Sequence, residues 1–295
     1  MEFIKTKSIL SRISYGEQWF GIDYNMNLYR GCPHGCIYCD SRSECYGIEN
    51  YDQPRGKEDA LNILEQELSR KRQIGVVGLG SMSDTYNPLE KEFEQTRGAL
   101  KLLLKHGFGA AIDTKSDLIL RDLDLLKKIN ERNNVIVKVT VTTPYDELSR
   151  IIEPHVCVSS QRLTSIRTLN ENGIFTGILL TPVLPFITDK EEDIRLLIRK
   201  AAEHGTRFIY THLSMTLRDR QRDYYYQKLD EHFPGLKDRY QRRYGNRYEC
   251  TVPDQKRLYQ VFTQECDRYG ILYRMEDIIR AYQKEDKSEK QLSLF

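Results

Sequence analysis

Short apolar runs alternate with longer amphipathic segments from Met26 to about Ser214. The short runs have the length of buried strands, and the longer segments repeat apolar residues every three to four positions, as helices do. Six runs predict strands at residues 26–29, 75–80, 108–113, 135–141, 174–180 and 207–212. Five segments predict helices at residues 57–71, 89–105, 118–131, 159–172 and 189–203. This alternation predicts an α/β fold in which βα units surround a parallel sheet.

The pattern changes after Ser214. Strand-like runs disappear, and residues 217–282 are rich in arginine and tyrosine at helical spacing. The last dozen residues begin as a charged run and end in apolar side chains, which predicts a solvated tail. We therefore expect a βα region at residues 1–215, a helical C-terminal extension at 216–283 and a flexible tail at 284–295.

The composition fits one main core with an appendage, because the chain has 295 residues and 39% of them are hydrophobic. It excludes a disordered tail protein and a disulfide-stapled miniprotein. The 45 Lys and Arg residues nearly balance the 43 Asp and Glu residues, which leaves a formal net charge of +2. No overall field indicates nucleic acid, so any basic surface must be local.

The apolar runs also bear on location. Residues 1–16 carry scattered basic side chains without a continuous apolar stretch, so they do not resemble a secretory signal. The longest apolar stretch, residues 174–187, is interrupted by Pro182 and Pro185 and is shorter than the about 20 residues that a membrane span needs. We expect a cytoplasmic protein without a membrane partner.

Three of the seven cysteines, Cys32, Cys36 and Cys39, lie within eight residues directly after the first predicted strand. In a reducing compartment such a cluster indicates metal binding, and thiolates favour zinc or an iron–sulfur cluster. Structural zinc sites use four protein ligands, and only His34 and Cys45 lie near enough in the sequence to supply a fourth. A [4Fe–4S] cluster on three cysteines leaves one iron open to a cofactor or substrate.

The spacing Cys32-x3-Cys36-x2-Cys39, with Tyr38 just before the last cysteine, resembles the signature of the radical S-adenosylmethionine superfamily. The resemblance implies a partial (β/α)6 TIM-type barrel with a [4Fe–4S] cluster and S-adenosyl-L-methionine as cofactors. In that family the open iron binds S-adenosylmethionine, and an electron from a reductant such as flavodoxin or ferredoxin releases a 5′-deoxyadenosyl radical. The radical then takes a hydrogen atom from the substrate.

The resemblance also implies cofactor contacts at the carboxyl ends of the barrel strands. Tyr38 is expected to pack near the adenine. The residues after the second and later strands are expected to approach the methionine, carboxylate or ribose groups; they are Gly80, Ser81, Ser83, Asp84, Lys115, Thr140 and Thr142. Ordinary capping of strand ends is the alternative explanation for each of them.

Segments 7–10, 27–32, 80–90 and 114–116 resemble the spore photoproduct lyase-like group, also called DNA repair photolyase-like proteins, and the resemblance covers residues 7–215. This implies a lesion or modified base in DNA as substrate. The lyase itself uses a cysteine hydrogen donor shortly before a Ser-Asp pair, where this chain has Ser81 and Met82.

Cys45 and Tyr86 are therefore the candidates for a hydrogen donor or a radical relay. The alternative for Cys45 is an inert buried thiol, and the alternative for Tyr86 is a side chain that packs beside a turn. Two other functions stay open. One is a radical enzyme that acts on RNA or protein, and the other is a non-catalytic zinc-binding adaptor for DNA or the sliding clamp.

Arginines and aromatic residues interleave in the C-terminal extension, a combination that binds phosphates and stacks on unpaired bases. The candidate nucleic-acid contacts are Arg239, Arg242, Arg243, Tyr244 and Arg247. The alternative is a tyrosine-rich helix that packs on the barrel.

The end of the tail resembles the peptide with which bacterial replication and repair proteins dock on the DNA polymerase sliding clamp. The matching residues are Gln291, Leu292, Leu294 and Phe295. Two apolar anchors on a charged tether suit a hydrophobic groove. The alternative is an apolar end that folds back on its own domain.

Overall fold

The computed structural model describes residues 2–13 and 19–283. The strands are β1 Phe3–Ile4, β2 Leu10–Arg12, β3 Tyr24–Met26, β4 Tyr29–Arg30, β5 Arg55–Lys57, β6 Val76–Leu79, β7 Gly109–Thr114, β8 Val135–Thr140, β9 Phe175–Leu180, β10 Ile209–Thr211, β11 Ser214–Thr216 and β12 Glu249–Thr251. The helices are α1 Ala60–Ser69, α2 Glu90–Phe93, α3 Gln95–His106, α4 Leu123–Arg132, α5 Asp146–Ile152, α6 Ser159–Glu171, α7 Glu191–Glu203, α8 Asp219–His232, α9 Leu236–Tyr244, α10 Gln255–Tyr269 and α11 Met275–Tyr282.

Seven strands form the main sheet in the order β10-β9-β8-β7-β6-β3-β2. The six strands from β3 to β10 in this sheet run parallel, and β2 pairs antiparallel with β3 at the edge. Helices follow the strands as in βα units. The predicted α/β fold with a partial (β/α)6 TIM-type barrel is confirmed.

The two faces of the barrel strands bury different layers. Val77, Ile112 and Val137 belong to the large cluster that packs against the outer helices. Their neighbours in the strands face inward, because side chains alternate along a strand, and Ala111 and Ile136 join a separate inner cluster. The barrel wall is thus buried on both sides, which explains the continuous apolar runs of its strands.

Helix α11 closes part of the inner face. Its Ile278 and Tyr282 pack in the inner cluster together with Phe20, which lies in the 3-10 turn Trp19–Gly21. The Tyr282 hydroxyl donates to the Phe20 carbonyl oxygen at 2.6 Å. Helix α11 of the C-terminal extension is therefore part of the barrel interior, although the sequence predicted an appendage.

The first predicted strand, residues 26–29, is wrong as a single element. Met26 ends β3 in the main sheet, while Tyr29 begins β4 in a small sheet with β1 and β5. The side chain of Asn27 accounts for the break: its Nδ2 donates to Ser81 Oγ at 3.1 Å, and its Oδ1 accepts from the Met82 backbone amide at 3.2 Å. These bonds to the loop after β6 draw the chain out of the sheet.

The helix predicted at residues 89–105 is two helices, α2 and α3, separated by Glu94 in a left-handed conformation with φ 47°. The buried Glu90 carboxylate accepts from the Thr96 backbone amide at 2.9 Å and satisfies one of the free amides at the start of α3. Helix α5 was not predicted, because its seven residues are too short for a clear periodicity.

The C-terminal extension is not purely helical, since β12 pairs antiparallel with β11. Its tyrosines divide: Tyr225, Tyr240 and Tyr244 are buried in one cluster beside the cysteine loop, residues 31–39, whereas Tyr248 and Tyr259 are exposed. The predicted tail at residues 284–295, including the clamp-like peptide, lies outside the described residues. Within the described part of the chain, no helix combines the length and apolarity needed to cross a bilayer.

Candidate functional site

A cavity of about 320 Å³ opens at the carboxyl ends of β6, β7 and β8. Cys32, Cys36 and Cys39 all line it. Six of the other predicted site residues line it as well: Gly80, Ser81, Ser83, Asp84, Lys115 and Thr140. The structure therefore brings the cysteine motif and most of the predicted strand-end residues to one place.

The cysteine loop, residues 31–39, depends on a glycine at its start. Gly31 has φ +87°, and a Cβ there would lie 2.7 Å from the Tyr51 carbonyl oxygen. That same carbonyl accepts from the Cys32 backbone amide at 2.8 Å. The close approach fixes Cys32 against the segment around Tyr51, and only glycine permits it without strain.

The three thiols form a donor set whose thiolate form is favoured only beside positive charge. Burial raises the pKa of Cys32 to about 12 and raises the pKa of Cys36 as well, so both stay protonated unless positive charge compensates the thiolate. Among residues 2–13 and 19–283, no three His, Cys, Asp or Glu side chains are gathered to hold a single metal ion. Three thiols that line one cavity suit a group of several irons, which spreads its ligands more widely.

Asp84 joins three parts of the site. Its carboxylate accepts from Thr114 Oγ1 at 2.6 Å, from the Lys115 backbone amide at 2.7 Å and from the Tyr86 backbone amide at 2.9 Å. It also lies 3.5 Å from His34 Nδ1 in the cysteine loop. Asp84 therefore fixes the loop after β6 to the end of β7 and to the cysteine loop, so its oxygens are largely occupied by the protein itself.

Ser83 and Lys115 offer the cavity unused polar groups. The Ser83 hydroxyl is buried, and within the described residues it has no hydrogen-bond partner. Burial alone would lower the pKa of Lys115, but Cys36, Glu153 and Asp84 raise it above its ordinary value, so the ammonium stays charged. A hydroxyl and a cation that face one cavity suit a bound carboxylate.

Two predicted cofactor contacts, Tyr38 and Thr142, do not line the cavity. Both hydroxyls instead donate to the buried carboxylate of Glu153, which lies just after α5. Arg162 of α6 donates to the same carboxylate at 2.5 Å and to the Thr140 carbonyl oxygen at 3.0 Å. The expected contact of Tyr38 and Thr142 with a cofactor stays a prediction, and the structure adds that Glu153 engages both hydroxyls.

The Glu153 and Arg162 side chains are both completely buried. Although burial opposes ionisation, Arg162 and Lys115 hold the pKa of Glu153 below its ordinary value. The pair therefore remains ionic and anchors Tyr38, two residues from Cys36, to helices α5 and α6.

The two candidate hydrogen donors also lie elsewhere. Cys45 is exposed in the 3-10 turn Glu44–Tyr46, with its sulfur 3.2 Å from Ser43 Oγ. Tyr86 is buried in the outer core, where burial and the neighbouring Asp122 raise its pKa. Neither residue lines the cavity, since the turn and the outer helix layer direct them away from it.

Several residues of the cavity were not predicted. Trp19 and Tyr51 line it, although they are distant in sequence from the strand ends. Asp113 lines it too and forms an ion pair of 2.9 Å with the buried Lys138 on the next strand. A lysine within the apolar run of β8 was the one sequence signal for this pair.

The cysteine loop separates two cavities. Its residues Cys32, His34 and Cys36 line the cavity at the strand ends. The residues between them, Pro33, Gly35 and Ile37, line a second cavity of about 660 Å³ on the outside, which α5 and α8 complete. A single layer of chain forms the wall between these inner and outer cavities.

The predicted nucleic-acid residues divide by exposure. The side chains of Arg242, Arg243 and Arg247 are exposed, as is Arg239, whose guanidinium lies 3.8 Å from the centre of the Phe186 ring. Tyr244 is buried, and its hydroxyl donates to the Thr251 carbonyl oxygen at 2.5 Å. The prediction that Tyr244 stacks on a base is corrected, since its ring is packed inside the extension.

Known proteins similar to this chain include one family and several relatives. The family model described as the Radical SAM superfamily matches residues 26–198. A relative from Methanocaldococcus jannaschii is 35% identical over 175 residues, which cover 58% of this chain and 64% of the relative, less than two thirds of its length. A relative from Mycobacterium tuberculosis is 29% identical over 228 residues, 75% of this chain and 67% of the relative. Both relatives are described as uncharacterized proteins.

Solved structures of spore photoproduct lyase share the fold. A cysteine-to-serine mutant of that enzyme superposes with a TM-score of 0.66 at 16% identity, over 90% of this chain and 79% of the other. A double mutant with bound AdoMet and dinucleoside spore photoproduct superposes with a TM-score of 0.62 at 15% identity, over 84% and 74% of the two chains.

Proposed function

Because the chain belongs to the radical SAM superfamily, we propose that it is an enzyme that cleaves S-adenosylmethionine reductively and acts on a lesion or modified base in DNA. The observation that carries the proposal is the inner cavity, where all three cysteines of the motif meet the free Ser83 hydroxyl and the Lys115 ammonium. The cofactors of the superfamily are a [4Fe–4S] cluster and S-adenosylmethionine. When bound, they supply a 5′-deoxyadenosyl radical that abstracts hydrogen.

The chain's own residues hold and orient these groups. Cys32, Cys36 and Cys39 would hold the cluster. Lys115 and Ser83 would bind the carboxylate of S-adenosylmethionine by a charge-assisted and a neutral hydrogen bond. Asp84 keeps the Lys115 backbone in place, because its carboxylate accepts from that backbone amide.

DNA is the proposed substrate class for two reasons. A protein with the same fold has been solved with dinucleoside spore photoproduct bound. Independently, α9 and the turn after it carry exposed arginines, which suit the phosphates of a nucleic acid.

The reaction would differ from that of an enzyme that donates hydrogen from a cavity cysteine. Within the described residues, the thiols that line the inner cavity are those of the three motif cysteines. Ser81 and Met82, which stand where the resemblance placed a cysteine donor, also line this cavity. We therefore propose a lyase-like radical reaction on DNA without a cysteine donor.

Formation of 5′-deoxyadenosine tests the proposal. The full chain, purified anaerobically and loaded with iron and sulfide, should form it from S-adenosylmethionine and dithionite. DNA with base lesions and deuterated bases should raise the yield above that with intact DNA and transfer deuterium into the product. Deuterium transfer from labelled RNA or protein, and not from DNA, would show that the substrate belongs to that class instead. Bound zinc without iron or product would favour the non-catalytic adaptor.

The arginines of α9 should contribute phosphate contacts. We expect the double variant Arg242→Glu with Arg243→Glu to bind DNA on the order of tenfold more weakly and to lower the salt dependence of binding by about 2 in the log–log slope. Fluorescence anisotropy at several salt concentrations measures both. The control is Lys127→Glu with Lys128→Glu, an equal reversal of charge on exposed positions of α4. Equal losses in both double variants would contradict a specific role for α9.

A further inference from the structure

We propose that Tyr51 donates a hydrogen bond to the thiolate of Cys39 and thereby raises the reduction potential of the cluster. The inference rests on the proposed function, because it requires that the three cysteines hold iron and sulfide. It assigns a positioning role to a residue that neither the motif nor the strand ends indicated.

The geometry favours the sulfur as the acceptor. The Tyr51 hydroxyl lies 3.1 Å from Cys39 Sγ and 3.4 Å from the Met82 carbonyl oxygen. A distance of 3.1 Å is short for a bond to sulfur, whereas 3.4 Å is long for an O–H···O bond, whose usual range is about 2.5–3.0 Å. The single phenolic proton is therefore directed to Cys39. A thiolate is also a stronger acceptor than a neutral carbonyl group.

Tyr51 is held firmly enough to keep this contact. Its backbone carbonyl oxygen accepts from the Cys32 amide at 2.8 Å, so one residue contacts both the first and the third cysteine of the motif. The Arg42 guanidinium lies 4.9 Å from the centre of its ring, and Arg42 is in turn fixed by two hydrogen bonds to Asp52. The ring is thus confined between Arg42 and the inner cavity.

Among the described residues, no other side chain forms a hydrogen bond with a sulfur atom of the three motif cysteines. Tyr51 is therefore the one side-chain donor to these sulfur atoms in that part of the chain. Reduction adds negative charge that the cluster shares with its sulfur ligands. A donor to a ligand sulfur stabilises the reduced form more than the oxidised form, which raises the potential. Tyr51 is buried, so its hydrogen bond is stronger than the same bond would be in water.

The variant Tyr51→Phe removes the hydroxyl and keeps the ring. We expect its cluster to have a more negative potential than that of the unchanged protein, at equal iron and sulfide content. An anaerobic redox titration followed by electron paramagnetic resonance, without S-adenosylmethionine, measures the potential directly. The matched control is Tyr46→Phe, because the Tyr46 hydroxyl donates to the Asp40 carboxylate at 2.9 Å and not to a thiol. Its potential should not change.

A second variant gives the opposite sign. Replacing Tyr51 with 3,5-difluorotyrosine makes the phenol more acidic and a stronger donor, so the potential should become less negative. The fluorinated variant tests whether the Tyr51 hydroxyl raises the reduction potential even if Tyr51→Phe fails to retain iron. Equal potentials in the unchanged, fluorinated and phenylalanine proteins would overturn the role of Tyr51 while leaving the proposed function intact. Failure of the unchanged protein to bind iron and sulfide would overturn both.

Discussion

Alanine in place of Cys36 is expected to abolish both the retention of iron and the formation of 5′-deoxyadenosine. Cys36 is buried and lines the inner cavity between the other two motif cysteines. Two thiols alone would leave another iron without a protein ligand. Iron and sulfide analysis measures the first effect, and chromatography of the products after incubation with S-adenosylmethionine and dithionite measures the second.

The control for this variant is Cys266→Ala. Cys266 is equally a free, buried cysteine, but it lies in α10, packs in the outer core and is far from the motif in sequence. The Cys266→Ala variant should retain its iron and should still form 5′-deoxyadenosine. Product formation by the Cys36 variant at the unchanged rate would overturn the assignment of the cluster to this loop.

Among the variants discussed, Arg162→Met should lower the free energy of unfolding the most. It leaves the Glu153 carboxylate buried without its ion-pair partner, and breaking a completely buried pair in this way costs about 3–5 kcal/mol. It also removes donors to the carbonyl oxygens of Thr140 and Cys157. Urea unfolding followed by circular dichroism measures the change in the free energy of unfolding.

Two comparisons isolate the cause. Arg199→Met breaks an exposed pair with Glu203 on α7, so it should change the free energy of unfolding little. Adding Glu153→Leu to Arg162→Met removes the unpaired charge and should recover part of the lost stability. If the double variant is less stable than Arg162→Met alone, the unpaired carboxylate is not the source of the loss.

The barrel strands were predictable where burial is continuous. The predictions for β7, β8 and β9 differ from the structure by one residue at most at either end, because long apolar runs that are covered on both faces leave a clear pattern. The split between β3 and β4 was not predictable. It depends on hydrogen bonds from Asn27 to the loop around Ser81, more than fifty residues away.

The site residues were likewise predictable only where a local sequence pattern marks them. The three cysteines are close in sequence, so their spacing alone identified them. Tyr51 reaches Cys39 only through the fold, and no local pattern marks it. The hydrogen bonds of Tyr38 and Thr142 to Glu153 were not predictable either, because Glu153 follows a helix that the sequence did not predict.

The thin wall between the inner and outer cavities bears on the timing of turnover. A substrate in the inner cavity does not cover Pro33, Gly35 or Ile37, which face the outer cavity. An electron carrier that docks there would stand one layer of backbone from the thiols while the substrate is still in place. For a carrier that docks on the outer cavity, we expect the electron and the substrate to arrive in either order, which random-order kinetics would show.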